Sequence, residues 1–225
     1  MYDQPAAFTA FIRGGGNVSL YERLSAALAA RYAALRPESL LDLGCGDGLA
    51  VVPALAQSSF RPGRIDLVEP SAALLADVDV PGANRFGATA RSFLGANGST
   101  WNLAQSTFAM QSMTPPVRAA VLRELRPRTE TLVLAEFDIP VLDEGSPEFL
   151  ESLVTRYECG VAEYGAQASL VAQGFSYPFC SASPRVRSGR TGSSLRWRGW
   201  LSLKSRASPT LRWSRSRTTG GPPPC

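Results

Sequence analysis

Apolar residues recur along this chain at two spacings, and the spacing switches repeatedly. In SLYERLSAALAARYAAL, Leu20, Leu24, Leu28 and Tyr32 stand four residues apart. This is the stripe of an amphipathic helix. Ser19 and Glu22 have capping-box spacing at its start, and Pro37 ends it. Before it, MYDQPAAFTAFIRGGGN predicts a short helix closed by a glycine loop at residues 14–16. After it come short apolar runs of strand length: SLLDLG at 39–44, RIDLVE at 64–69, WNLAQS at 101–106 and TLVLAEF at 131–137, with a weaker NRFGAT at 84–89. TLVLAEF is apolar on both faces, as buried parallel strands are.

Helical segments alternate with these runs. LAVVPALAQ fills 49–57, and SAALLADV follows with Ser71 as its cap. TPPVRAAVLREL has Thr114 at the cap and Pro115 at the first helical position, and SPEFLESLVTRYECGVAEYG repeats that start at Ser146. Strand and helix in alternation, joined by short loops, predict an α/β fold. It is a Rossmann-like, doubly wound, mostly parallel sheet with helices on both faces. No internal repeat is visible. The expected organisation is a helical cap over 1–35, a core over 36–174 and a tail over 175–225.

Composition changes the picture at one place. Residues 1–163 hold all 19 acids and 13 arginines, whereas residues 164–225 hold nine arginines, the single lysine and no acid. The formal net charge of +4 therefore averages two unlike parts. The 44% hydrophobic content suits a globular core. The chain contains no histidine, which removes the commonest general base and metal ligand. Cys45, Cys159, Cys180 and Cys225 match no zinc spacing. They are read as free thiols of a cytoplasmic protein without signal peptide or membrane span, and no metal is expected.

The stretch that carries chemistry is LLDLGCGDG, residues 40–48, at the end of the first strand. Glycines there let the backbone turn sharply and approach a ligand closely. The second strand ends in Glu69, 21 residues after Gly48, where an acid can accept both hydroxyls of a ribose. A dinucleotide site wants G-x-G-x-x-G, with a helix N-terminus on the pyrophosphate. The spacing here is G-x-G-x-G after an acid, Asp42. An acid so close to the loop repels a pyrophosphate and suits a cationic ligand carrying an amino group.

This loop resembles motif I of the class I S-adenosylmethionine-dependent methyltransferases of the bacterial small-molecule type. DLVEPS at 66–71 resembles the family's second motif, and WNLAQSTFAMQSM through TLVLAEFD resembles its fourth and fifth strand regions. The resemblance covers roughly residues 36–140 and implies S-adenosyl-L-methionine as cofactor. It implies that Asp42, Gly44, Cys45 and Gly46 hold the methionine part and Glu69 the ribose. Pro70 and the region of Ala88 and Thr89 would border the adenine, and Gln105 would face cofactor or substrate. It further implies in-line transfer of the sulfonium methyl to an oxygen, nitrogen or carbon of a small molecule, by proximity and alignment. Any base must then be a carboxylate, a tyrosine or water. Tyr2, Asp3, Tyr21, Glu136 and Asp138 are conceivable, and the sequence selects none. Cys45 is read as a small loop residue, since no histidine exists to activate it. The acceptor and the oligomeric state stay open.

The family fold ends with a helix and an antiparallel hairpin. Residues 175–225 carry nine arginines, eleven serines and six prolines, with no apolar period, so the terminal strands are expected to be missing. Taken literally, this is a disordered basic segment whose arginines and tryptophans could bind RNA or single-stranded DNA. That is the alternative reading, a nucleic-acid-binding protein on a Rossmann-like platform. A nicotinamide-dependent oxidoreductase is a third. One lysine against 22 arginines points instead to GC-rich coding. Regrouping such codons by one base from position 176 lets acids, an apolar run and an alternating segment return. The tail is therefore read as translation in a shifted frame, and nucleic acid is not expected as a partner.

Overall fold

The computed structural model describes residues 5–137, 143, 145–173 and 201–204. These fall into two compact units, one drawn from residues 5–20 and 143–173, the other from 21–137 and 201–204. Each is built by local rules that the sequence partly displays.

The second unit is the sheet. Its strands are β1 (Ser39–Leu43), β2 (Arg64–Val68), β3 (Asn84–Phe86), β4 (Trp101–Thr107), β5 (Thr129–Ala135) and β6 (Leu201–Lys204), in spatial order β3-β2-β1-β4-β5-β6. The first five run parallel, with Asp42 of β1 opposite Leu67 of β2 and Gln105 of β4. The order reverses between β1 and β4. In open α/β sheets ligands bind at the carboxyl ends of the strands at such a reversal.

Two apolar layers enclose the sheet. On one face α2 (Asn17–Leu35) and α3 (Val51–Gln57) bring Leu24, Leu28, Val51 and Leu55 against Leu40, Ile65, Leu67 and Leu103. On the other, α5 (Ala90–Ala96) and α6 (Pro115–Leu125) bring Phe93, Leu94, Val121 and Leu125 against Leu41, Leu43, Val68 and Leu132. The strands are thus buried on both faces, as parallel strands require. Helix α4 (Ala72–Ala76) adds Leu75 to the first layer, and the Ser71 hydroxyl caps it by accepting from the Leu74 amide.

In the first unit α1 (Pro5–Ile12) precedes the glycine loop, and α7 (Pro147–Ala162) and α8 (Ala168–Val171) follow in sequence. Ser146 caps α7 by accepting from the Phe149 amide, as its Ser-Pro start predicts. The loop at 14–16 packs against Glu163 and Tyr164, where a Cβ on Gly14 would lie 2.9 Å from the Tyr164 ring. Tyr164 donates to the Phe11 carbonyl at 3.1 Å, accepts from the Asn17 amide at 3.0 Å and stacks on Phe11.

Several elements differ from the sequence reading. Helix α2 begins at Asn17 and not at Ser19. The Ser19 hydroxyl donates back to the Gly16 carbonyl, while the Gly16 amide donates to the Glu163 carboxylate at 2.6 Å, so a distant acid does the capping. Helix α5 has no counterpart in that reading. The expectation that terminal strands are missing is corrected in part, because β6 pairs antiparallel with β5 from Leu134↔Leu201 to Thr131↔Lys204. The edge of β5 is therefore covered there. The rest of the tail, 175–200 and 205–225, lies outside the described residues. Cys159 is disulfide-bonded and not a free thiol, whereas Cys45 is free and buried. No helix among the described residues is long and apolar enough to cross a membrane.

Candidate active site

Strand β1 delivers residues 44–48 to the reversal point as a tight loop. Gly44, Gly46 and Gly48 have φ of +76°, +58° and +81°, the left-handed region that side chains disfavour. Their surroundings differ. A Cβ on Gly44 would lie 2.3 Å from the Ala109 Cβ, and one on Gly48 would lie 2.7 Å from Val52. A Cβ on Gly46 would meet nothing within 4 Å. Gly44 and Gly48 are glycines for packing, whereas Gly46 borders open space.

The amides of Gly44, Cys45, Gly46 and Gly48 are all taken up within the protein. The Gly44 and Cys45 amides both donate to the Val68 carbonyl, and the Gly48 amide donates to the Cys45 carbonyl. The Gly46 amide donates to the Glu69 carboxylate at 3.1 Å. A phosphate-binding loop instead aims its amides at the ligand.

Glu69 is buried and spans two segments. Its other oxygen accepts from the Ser71 amide at 2.9 Å, and its own amide donates to the Phe86 carbonyl. Burial raises its pKa, against the two amide donors that lower it. Pro70 follows it, exposed, and Ala88 is partly exposed. Thr89 is committed elsewhere, since its hydroxyl accepts from the Ser92 amide and caps α5.

Two buried aspartates on neighbouring strands are held differently. Asp66 of β2 accepts from the Trp101 indole at 2.7 Å and the Asn84 amide at 2.7 Å, and pairs with Arg64 at 3.3 Å. Its burial is accounted for. Asp42 of β1 is only 1% exposed, yet neither carboxylate oxygen has a hydrogen-bond partner. Burial pushes its carboxyl up to about 7, Gln105 opposes the shift, and the Glu69 charge adds to it. Gln105 lies beside Asp42 in the ladder, near enough for its amide to favour the carboxylate, but no well-formed hydrogen bond joins them. An unpartnered buried carboxylate is costly, and such costs concentrate at functional sites.

Behind Gln105 stands Tyr32 of α2. Its hydroxyl donates to Gln105 Oε1 at 2.6 Å, and both side chains are fully buried. Burial, then the Asp42 charge, raise the Tyr32 pKa well above its ordinary value. Cys45 is buried too, and burial together with Asp42 and Glu69 pushes its thiol far up, so it is no thiolate nucleophile.

Of the residues considered as bases, Tyr2, Asp3 and Asp138 lie outside the described residues. Tyr21 meets Phe108 edge-on. Glu136, just after β5, accepts from the Met110 amide at 2.8 Å, and its second oxygen is buried without a partner. Burial raises its pKa. Phe108, at the end of β4, has φ +55° and stacks on Phe137 with ring centroids 4.3 Å apart. A strained aromatic at the carboxyl edge of the sheet is a mark the sequence does not carry. The structure thus groups Asp42 with Gln105, and Gly46 with Glu69. Tyr32, which sequence reasoning placed only in an apolar stripe, joins the first group. No cluster of metal-ligating side chains occurs among the described residues.

No protein-family model and no curated protein matches the sequence. Among solved structures, the chain is similar to SAM-bound CalS10, an amino pentose methyltransferase from Micromonospora echinaspora, at 24% identity and TM-score 0.47. That match covers 62% of this chain and 59% of CalS10. Similarity to DesVI of Streptomyces venezuelae is 19% identity and TM-score 0.44, over 56% of this chain and 55% of that one. Similarity to the magnesium protoporphyrin IX methyltransferase ChlM of Synechocystis PCC 6803 is 14% identity and TM-score 0.45, over 59% and 71% of the two chains. This chain therefore spans less than two thirds of the first two.

Proposed function

We propose that this protein is a methyltransferase that uses S-adenosyl-L-methionine to methylate a small molecule. The observation that carries the reading is the Asp42 carboxylate, buried and unpartnered in β1, four residues before Gly46, which borders open space. A cationic ligand supplies what Asp42 lacks. The donor set fits this cofactor in three respects. Asp42 would accept from the ammonium group of the methionine part. Gly46 leaves room for close approach. Glu69 retains lone pairs on both oxygens for the ribose hydroxyls. A dinucleotide fits poorly, because the loop amides are spent and two carboxylates face where a pyrophosphate would lie.

When bound, the cofactor supplies a methyl group on a sulfonium, already activated for displacement. The protein's part is then alignment and exclusion of water. Asp42 and Glu69 would fix the amino acid part and the ribose of the ligand relative to β1 and β2. Where the acceptor must lose a proton, Glu136 is the described residue best suited to hold it, with a raised carboxyl and an unpartnered oxygen. The proposed cofactor contacts are Asp42, Gly44, Cys45, Gly46, Glu69 and Pro70, with Gln105 supporting Asp42.

Titration calorimetry with S-adenosylhomocysteine tests the reading. Wild-type protein should bind it and should not bind NADH. Glu69→Gln should weaken binding about tenfold or more, the loss expected when charged hydrogen bonds to both hydroxyls become neutral. NADH binding in place of S-adenosylhomocysteine would overturn the proposal. The shifted-frame origin of residues 175–225 is also a proposal. Sequencing the coding DNA across codons 170–225 decides it, since stop codons in the alternative frame would refute it.

A further inference from the structure

We infer that Tyr32 is a positioning residue, which locks the Gln105 amide so that its NH2 group faces Asp42 and holds that aspartate ready for a cationic ligand. The inference deepens the proposed function and rests on it for the identity of the ligand. The Gln105 side chain can sit in two ways. An amide has a donor end and an acceptor end, and rotation by 180° exchanges them. Asp42 stands opposite Gln105 in the β1–β4 ladder, and an ionised carboxylate can only accept. A flipped amide would set oxygen against oxygen in a buried place. The carboxylate selects the orientation, and Tyr32, whose hydroxyl can donate or accept, secures it by donating to Oε1 at 2.6 Å. The nitrogen, Nε2, is left without a partner, next to the two unpartnered oxygens of Asp42.

Three unpartnered polar atoms therefore meet in one fully buried place, and they are complementary in sign. Asp66, buried on the neighbouring strand, has three partners instead. The groups facing Asp42 are Gln105 from β4, Tyr32 from α2, Glu69 from the end of β2 and Cys45 from the loop. Gln105 alone favours the charged form; Glu69 opposes it and burial opposes it most. The Gln105 amide is thus the one of these neighbours that favours the Asp42 carboxylate.

The test compares two nucleosides. S-Adenosylhomocysteine carries the amino acid ammonium; 5′-methylthioadenosine lacks it. Tyr32→Phe removes one hydroxyl and keeps the packing. It should weaken S-adenosylhomocysteine about fivefold at pH 7, the worth of one hydrogen bond, and leave 5′-methylthioadenosine unchanged. Gln105→Met should reproduce the loss, and adding Tyr32→Phe to it should add nothing. Melting of the ligand-free protein across pH 4–9 gives an independent readout, in which Tyr32→Phe moves the limb due to Asp42 to higher pH. Equal weakening of both nucleosides would mean a merely structural tyrosine. No change in either, with an unmoved limb, would overturn the inference as well. Should wild-type protein bind neither nucleoside, the methyltransferase reading fails by itself. The melting limb then decides on Tyr32 alone, and an unmoved limb overturns it.

Discussion

Asp42→Asn is expected to melt several degrees higher than wild-type protein at pH 8, and to bind S-adenosylhomocysteine at least tenfold more weakly. Both effects come from one buried charge. In the unfolded chain the Asp42 carboxyl titrates near 3.8, and in the fold near 7. A carboxyl raised by folding binds its proton more tightly in the native state. Stability is then greatest below pH 4 and is lost as pH rises toward 7, after which the loss is constant. A rise of that size corresponds to an upper bound on the order of 4 kcal/mol. Asparagine avoids the charge but keeps two polar atoms in the same place, so the gain should be about 1–3 kcal/mol. The raised carboxyls of Glu69 and Glu136 tilt the curve in the same sense in both proteins, so the difference curve reports Asp42 together with its coupling to Glu69. That difference should be nearly nil at pH 4 and should open by pH 7. Parallel melting curves from pH 4 to 8 would show that the charge carries no cost. A less stable variant would show that Asp42 is a structural residue like Asp66. Gain of stability with loss of binding is the signature of a residue retained for its ligand.

The parts of the fold that were legible share one property: a local rule and the tertiary structure agree. β1, β2, β4 and β5 are short apolar runs because both of their faces are covered. Helix α6 announces itself by Thr114 and Pro115, although the Thr114 side chain makes no capping bond. The loop 44–48 was visible because glycine is favoured where φ is positive, and three glycines alternating along five residues mark a backbone that turns through that region repeatedly. Asp42 and Glu69 were legible by position, one before the loop and one at the next strand end.

The remainder was hidden for physical reasons. Helix α5 spells ARSFLGA, with Ala90, Phe93 and Leu94 facing the core and a glycine inside, too short for a period to register. Its signal was the cap, Thr89 three residues before Ser92. Strand β6 spells Leu-Ser-Leu-Lys, a true alternation, but four residues cannot stand out among arginine and serine. At Ser19 the local rule was overruled, because Glu163, 147 residues away, reaches the Gly16 amide first. Tyr32 is the most instructive omission. In the sequence it is one more member of an apolar stripe. Only the fold reveals that its hydroxyl has a partner 73 residues on, and that this partner faces Asp42.

Substituting the loop glycines one at a time should separate the fold's need from the ligand's. Gly44→Ala would set a methyl 2.3 Å from the Ala109 Cβ at a backbone φ of +76°. The left-handed conformation alone costs an alanine about 1–2 kcal/mol, and the overlap adds a displacement of the segment after Phe108, so a total loss of about 3 kcal/mol or more is expected. Ala109→Gly in the same chain should return the overlap part and leave the conformational part. Gly46→Ala, at φ +58°, carries the same conformational cost but meets nothing. Its melting temperature should fall by only a few degrees, consistent with about 1–2 kcal/mol. Its methyl would nonetheless occupy the space beside the amide that Glu69 holds, and binding of S-adenosylhomocysteine should drop about tenfold or more. The two glycines then part company, Gly44 in stability and Gly46 in affinity. Wild-type affinity in folded Gly46→Ala would mean that the open space above this residue is not where the ligand lies.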